Sequence, residues 1–169
     1  ARQASKIGAV DKTSSNLVNV LKTSDVLLLA LPTDEMRTMM EELLPLMKPG
    51  AILLDTALSK EKVAGWAAEL LSDDCSYVGL TPVINPDYLV SPDSGIDSAR
   101  ADLFHNGMVA ITSPLETDAK AIKFAADLTQ LLGAKVLFAD ILEDDLIPAR
   151  EKDWIKNYLE LLRDRYRID

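Results

Sequence analysis

An aspartate, a serine and a lysine fall within one short stretch, Asp55-Thr56-Ala57-Leu58-Ser59-Lys60, directly after the apolar run Ala51 to Leu54. A carboxylate, a hydroxyl and an ammonium are thereby offered at the end of a strand, which is where open parallel sheets bind their ligands. Lys60 can bring positive charge toward a carboxylate ligand, or stand solvated in a first helical turn, while Ser59 is placed to cap the helix that begins there. Thr81-Pro82 follows another apolar run. A threonine hydroxyl can orient a ligand hydroxyl, but its alcohol-like acidity makes it a poor general base at neutral pH. Pro32-Thr33 and Ser113-Pro114 complete the row of residues just beyond strands, and the former, taken by itself, reads first as a plain turn with Thr33 or Asp34 capping a helix. Other chemistries are excluded by count. Cys75 is the one cysteine and His105 the one histidine, so neither a disulfide nor a Cys/His zinc site can form. Cys75 lies in a turn with no nearby cation to make a thiolate. His105 reads as a loop residue. Asp55 as a phosphate acceptor lacks an acidic pair after an earlier strand.

These residues need strands and helices to hold them. Five β-rich runs stand out: Val26 to Leu31, Ala51 to Asp55, Ser76 to Leu80, Gly107 to Thr112 and Lys135 to Ala139. The first two are almost continuously apolar, as expected of strands covered on both faces. Helical periods lie between them, from Asp34 to Leu44 with Met36, Met39, Met40, Leu43 and Leu44 in phase, and from Ser59 to Leu71. A third helix is expected to start at Ser113-Pro114-Leu115-Glu116, with Gly133 taking the left-handed position at its far end. The alternation predicts an α/β fold, a doubly wound and mostly parallel sheet. Trp66 and the methionine cluster read as packing residues. Two segments stand apart. Pro82 to Asn106 carries Pro82, Pro86, Pro92 and Gly95 without a long period, and suits a binding loop or lid, shortened by a helix near Ser94 to Leu103. The C-terminus carries an apolar stripe of Ile155, Tyr158, Leu159, Leu162 and Tyr166 on a charged amphipathic helix.

The 169 residues suffice for one domain with a core of its own. Lys and Arg total 18 against 27 Asp and Glu, a formal charge of -9, which argues against nucleic acid as a partner. The longest apolar run, Val26 to Pro32, is too short to span a membrane, and no signal peptide precedes it. A cytoplasmic enzyme or binding domain is expected. The dinucleotide fingerprint G-x-G-x-x-G is absent from the seven glycines.

Five pieces nevertheless stand in a familiar order: Ser24 to Pro32, Leu46 to Asp55 running on to Lys60, Val78-Gly79 before Pro82, Ala101-Asp102-Leu103-Phe104, and Leu132-Gly133-Ala134. In order and spacing the chain resembles the prephenate and arogenate dehydrogenases over about Ala4 to Asp145. The resemblance implies a Rossmann-type domain in an NAD- or NADP-dependent oxidoreductase, with oxidative decarboxylation of prephenate or arogenate as the reaction and a homodimer as the assembly. It implies residues 1–145 as the nucleotide-binding domain, beginning at the helix that follows the second strand, and 146–169 as a remnant of a helical dimerisation domain. It places Leu31, Pro32, Thr33, Asp55, Thr56 and Ala57 at the cofactor, and Thr81, Ser59 and Lys60 at a carboxylic acid substrate. Two positions depart from the family's pattern. Leu58 stands where the family has a pocket serine, and Thr81 where it has a histidine that hydrogen-bonds the ring hydroxyl. Both departures fall on the same chemistry, so two alternatives stay open: a related dehydrogenase for another hydroxy acid, and a nucleotide-binding module without catalysis.

Overall fold

The computed structural model describes residues 2–88 and 99–139. Five strands form one sheet in simple sequential order: β1 (Val26–Leu29), β2 (Ile52–Asp55), β3 (Ser76–Val83), β4 (Met108–Thr112) and β5 (Lys135–Ala139). The helices are α1 (Arg2–Lys6), α2 (Leu17–Leu21), α3 (Thr33–Leu43), α4 (Lys60–Leu70) and α5 (Ala119–Leu131), with 3-10 turns at Leu44–Leu46 and Pro86–Tyr88.

Period-two alternation along the strands divides the side chains between two cores. On one face Leu29, Leu53 and Tyr77 meet Met36, Met40 and Leu43 of α3 and Val63, Ala64 and Ala67 of α4. On the other, Leu54, Val78, Leu80, Val109 and Ile111 meet Ala121 and Ala125 of α5. The methionines are core residues, Met36 and Met40 being wholly buried, and Trp66 packs at the edge of the first core.

Three of the four strand pairings are parallel, in keeping with a mostly parallel sheet, but β3 pairs with β4 antiparallel. An antiparallel return needs no crossover helix, and the sheet changes direction there. The reversal corrects the expected row of ligand-side turns. Ser113-Pro114 follows β4, and because Thr112 lies beside Gly79 while Met108 lies beside Val83, it emerges at the opposite edge from Pro32 and Asp55.

The start of α5 is also corrected. The residues after Ser113 close a turn, with the Thr117 N–H donating to the Pro114 carbonyl at 3.1 Å. Leu115 in that turn is wholly exposed, and the buried period begins only at Ala121. The helix is instead capped by Asp118, whose carboxylate accepts the Lys120 N–H at 2.8 Å. Its far end is as expected, Gly133 having φ +75°. β1 stops at Leu29, two residues short of the expected end, where its partner β2 stops at Asp55. β3 instead runs on to Val83, so Thr81-Pro82 lies within a strand and not after one. Pro82 is accommodated because β3 there has outrun β2 and pairs with β4 alone. Half of the expected helix near Ser94 to Leu103 falls outside the described residues; in the other half no helix forms, residues 101–106 making turns. The C-terminal amphipathic helix lies outside the described residues altogether.

Candidate functional site

The carboxyl ends of β1, β2 and β3 lie together along one edge of the sheet. After β1 comes Leu31-Pro32-Thr33. Pro32 occupies the cap position of α3 with no side-chain cap bond, and its carbonyl accepts the Glu35 N–H at 3.1 Å, so neither Thr33 nor Asp34 is the cap. After β2, the Thr56 N–H donates to the Leu29 carbonyl at 3.1 Å, which ties the second turn to the first strand. Ala57 is buried and Leu58 is 81% exposed. Ser59 holds the cap position of α4, as its place in the sequence suggests, but its side chain makes no capping bond.

Beneath this turn lies a charged cluster. Asp55 and Lys60 are both completely buried, with Lys60 Nζ 3.0 Å from Asp55 Oδ1. The expected choice for Lys60, a solvated side chain or one reaching out to a ligand, is therefore corrected: the ammonium is folded inward on its own turn. Burying two charges is tolerable only when they are paired and their remaining valences are met. Asp55 Oδ1 also accepts the Ala57 N–H at 2.7 Å, and Oδ2 accepts the Tyr77 hydroxyl at 2.8 Å.

Tyr77, Gly79 and Thr81 alternate along β3, and Gly79 is in register with Asp55, so all three stand on the α3/α4 face. Gly79 has to lack a side chain. A Cβ there would come within 2.7 Å of Thr112 Oγ1 and 2.9 Å of both Lys60 Cδ and the Tyr77 hydroxyl. Thr81 is the next residue on that face, just beyond the end of β2. Asp55, Lys60, Ser59 and Thr81 are thus brought to one end of the sheet, the first two under the surface and Thr81 at the rim. Sequence reasoning missed Tyr77. The available signal was its place two residues before Gly79, which puts both on the face of Asp55.

α3 and α4, whose first residues frame this edge, are clamped at the surface. Arg37 Nε lies 2.8 Å from Glu41, its terminal nitrogen 3.0 Å from Glu69 of α4, and its guanidinium 6.0 Å from the Trp66 ring centre. The Glu41 and then the Glu69 hydrogen bonds raise the Arg37 pKa further above its ordinary value. His105 is exposed in a turn, donating its N–H to the Asp102 carbonyl at 3.0 Å. Cys75 lies in a turn as expected, half buried, its Sγ 3.3 Å from the Lys48 carbonyl. A cleft of about 380 Å³ lies at the other edge of the sheet, between Leu71 to Tyr77 and Pro114 to Asp118. Among the described residues no group of His, Cys, Asp or Glu could hold a metal ion, and no helix is long and apolar enough to cross a membrane.

Residues 1–138 match the family described as prephenate dehydrogenase, nucleotide-binding domain. The chain belongs to this family. It is 24% identical over 143 residues to the prephenate dehydrogenase of Bacillus subtilis, a match covering 84% of this chain and 37% of that protein. The crystal structure of prephenate dehydrogenase from Aquifex aeolicus in complex with hydroxyphenyl propionate and NAD+ superposes with a TM-score of 0.73 at 20% identity, over 86% of this chain and 49% of that one. Synechocystis arogenate dehydrogenase gives a TM-score of 0.73 at 24% identity, over 96% and 64%. At these identities the superpositions report a shared fold. The chain spans about a third to two thirds of the length of these relatives.

Proposed function

We propose that this chain is the nucleotide-binding part of an NAD- or NADP-dependent dehydrogenase that oxidises and decarboxylates prephenate or arogenate. The reading rests on the family match over residues 1–138, and the sheet supports it. The five strands run in sequential order, so the reversal of strand order at which doubly wound sheets bind dinucleotides does not fall among them. β1 is an edge strand, and Leu28 on it is half exposed. A cofactor at that edge meets Leu31, Pro32 and Thr33 first, then Thr56 of the next turn; Asp55 and Ala57, expected from the sequence to touch it, are buried and support the turn from beneath. These positions suit the ribose and nicotinamide, since two strand-end turns offer backbone and small side chains. They include no glycine turn to cradle a pyrophosphate. When bound, the cofactor accepts hydride from the substrate ring, and aromatisation with loss of carbon dioxide drives the reaction forward.

This chain's own contribution is position. The Thr81 hydroxyl, at the rim on the α3/α4 face, orients a substrate hydroxyl, and Ser59 stands at the neighbouring turn. Lys60 acts through Asp55 and not by touching the substrate. Residues 1–145 make up the nucleotide-binding unit, and the full protein works as a cytoplasmic homodimer, which sedimentation of the full chain tests. A second reading is favoured by one observation: an exposed Leu58 and a weakly acidic Thr81 occupy the two positions where the family's pattern has a serine and a proton-accepting histidine. That suits another hydroxy acid, or binding without turnover.

Nicotinamide reduction with prephenate, arogenate and a panel of 2- and 3-hydroxy acids, each with NAD and NADP, decides among them. Prephenate or arogenate turnover well above the panel is expected. Thr81→His, which supplies a general base, then raises kcat by up to about a hundredfold. Turnover confined to another hydroxy acid overturns the proposal in favour of the altered substrate. Cofactor binding with no turnover for any acid, and no effect of Thr81→His, assigns the chain to the binding class.

A further inference from the structure

The turn Thr56 to Ser59 sits on an ion pair that stability alone does not call for. Asp55 and Lys60 are fully buried, and an apolar pair of the same volume is commonly as stable or more so, because desolvating two charges is costly. What the pair provides is geometry. The Asp55 carboxylate is held from three chain segments at once: by the Ala57 N–H of the turn itself at 2.7 Å, by Lys60 at the start of α4 at 3.0 Å, and by Tyr77 of the neighbouring strand at 2.8 Å. The Lys60 ammonium also lies 3.4 Å from the Asp55 main-chain carbonyl, just where β2 becomes the turn. Gly79 leaves space for the Lys60 stem and the Tyr77 hydroxyl that any side chain would fill.

We infer that Asp55, Lys60 and Tyr77 form a buried strut that fixes the turn Thr56 to Ser59, and that Tyr77 and Lys60 are positioning residues for the dinucleotide although neither touches it. The functional half of this inference rests on the dehydrogenase reading, and the structural half does not. A strut of this kind acts locally: one missing hydroxyl loosens one turn and leaves the remainder of the sheet as it was.

The test uses the full chain and Tyr77→Phe, which keeps the ring and removes the bond to Asp55. A second variant, Asp55→Asn/Lys60→Met, removes both charges together and so leaves no unpaired ion. Amide hydrogen exchange and steady-state kinetics are read on each. In both variants the Ala57 amide is expected to exchange at least tenfold faster while α5 amides such as Ala125 keep their rates. The KM for the nicotinamide dinucleotide is expected to rise fivefold or more, with a smaller change in kcat. Unchanged exchange at Ala57 overturns the strut, as does an acceleration shared equally by Ala125. Faster exchange with an unaltered KM overturns the positioning role. A wild-type chain without turnover refutes the dehydrogenase reading and with it the functional half, and the exchange rates still decide the strut.

Discussion

At Gly79 a single methyl group is enough to disturb three neighbours, since its carbon would stand 2.7 to 2.9 Å from atoms of Thr112, Lys60 and Tyr77, closer than real Cβ contacts. Gly79→Ala is expected to destabilise the fold by about 1–3 kcal/mol through overpacking, read as a lower urea midpoint at unchanged slope. Lys60→Met is expected to cost more, about 3–5 kcal/mol, because it strands a buried carboxylate. Adding Asp55→Asn to it should return part of that loss, and a double-mutant cycle in urea checks the non-additivity. Residue types after strand ends were enough to single out Asp55, Ser59, Lys60 and Thr81 from the sequence. That Lys60 is buried was not legible. A lysine in a first helical turn is ordinarily solvated, and only the β2–β3 register, which sets Gly79 beside Asp55, opens the space that takes it in.

Helices α3 and α4 begin within one residue of where apolar spacing sets them, because their buried stripes are long and unbroken. The start of α5 misled for a physical reason: Ser-Pro-Leu-Glu has the composition of a helix cap, yet no apolar period starts there, and Asp118 further on offers its carboxylate to a free N–H. The reversal between β3 and β4 was illegible too, since apolar runs carry no direction. The long connection between those strands is fastened at its base. The Asn85 N–H donates to the Leu103 carbonyl at 2.7 Å, and the Tyr88 hydroxyl donates to Asp102 at 2.8 Å. The bond to Asp102, with smaller help from desolvation, raises the Tyr88 pKa above its ordinary value. The neutral phenol is thus the favoured form in the fold. Its tether is intact below the ordinary tyrosine pKa of about 10 and is lost as pH rises through the higher folded value. Tyrosinate absorbance during alkaline titration should include a late-ionising component that Asp102→Asn brings back toward the ordinary range.

Across the whole molecule, the two cores share β2 and β3: Leu53 and Tyr77 belong to one, Leu54 and Val78 to the other. Neither face can be lost while the other stays packed, because the same strands line both. Unfolding in urea is expected to be a single transition, with the far-ultraviolet signal of the helices coinciding with the near-ultraviolet signal of Tyr77 and its neighbours. Separated midpoints would show that the α3/α4 face and the α5 face melt independently. The antiparallel course of β4 also separates the candidate site from the turn Ser113 to Thr117, which lies at the opposite end of the sheet with Leu115 wholly exposed. That turn is therefore a natural anchor point. A cysteine at Leu115, with Cys75 replaced by serine, would let the protein be coupled to a solid support with the carboxyl ends of β1, β2 and β3 facing the liquid, so that captured nucleotides meet an unobstructed surface.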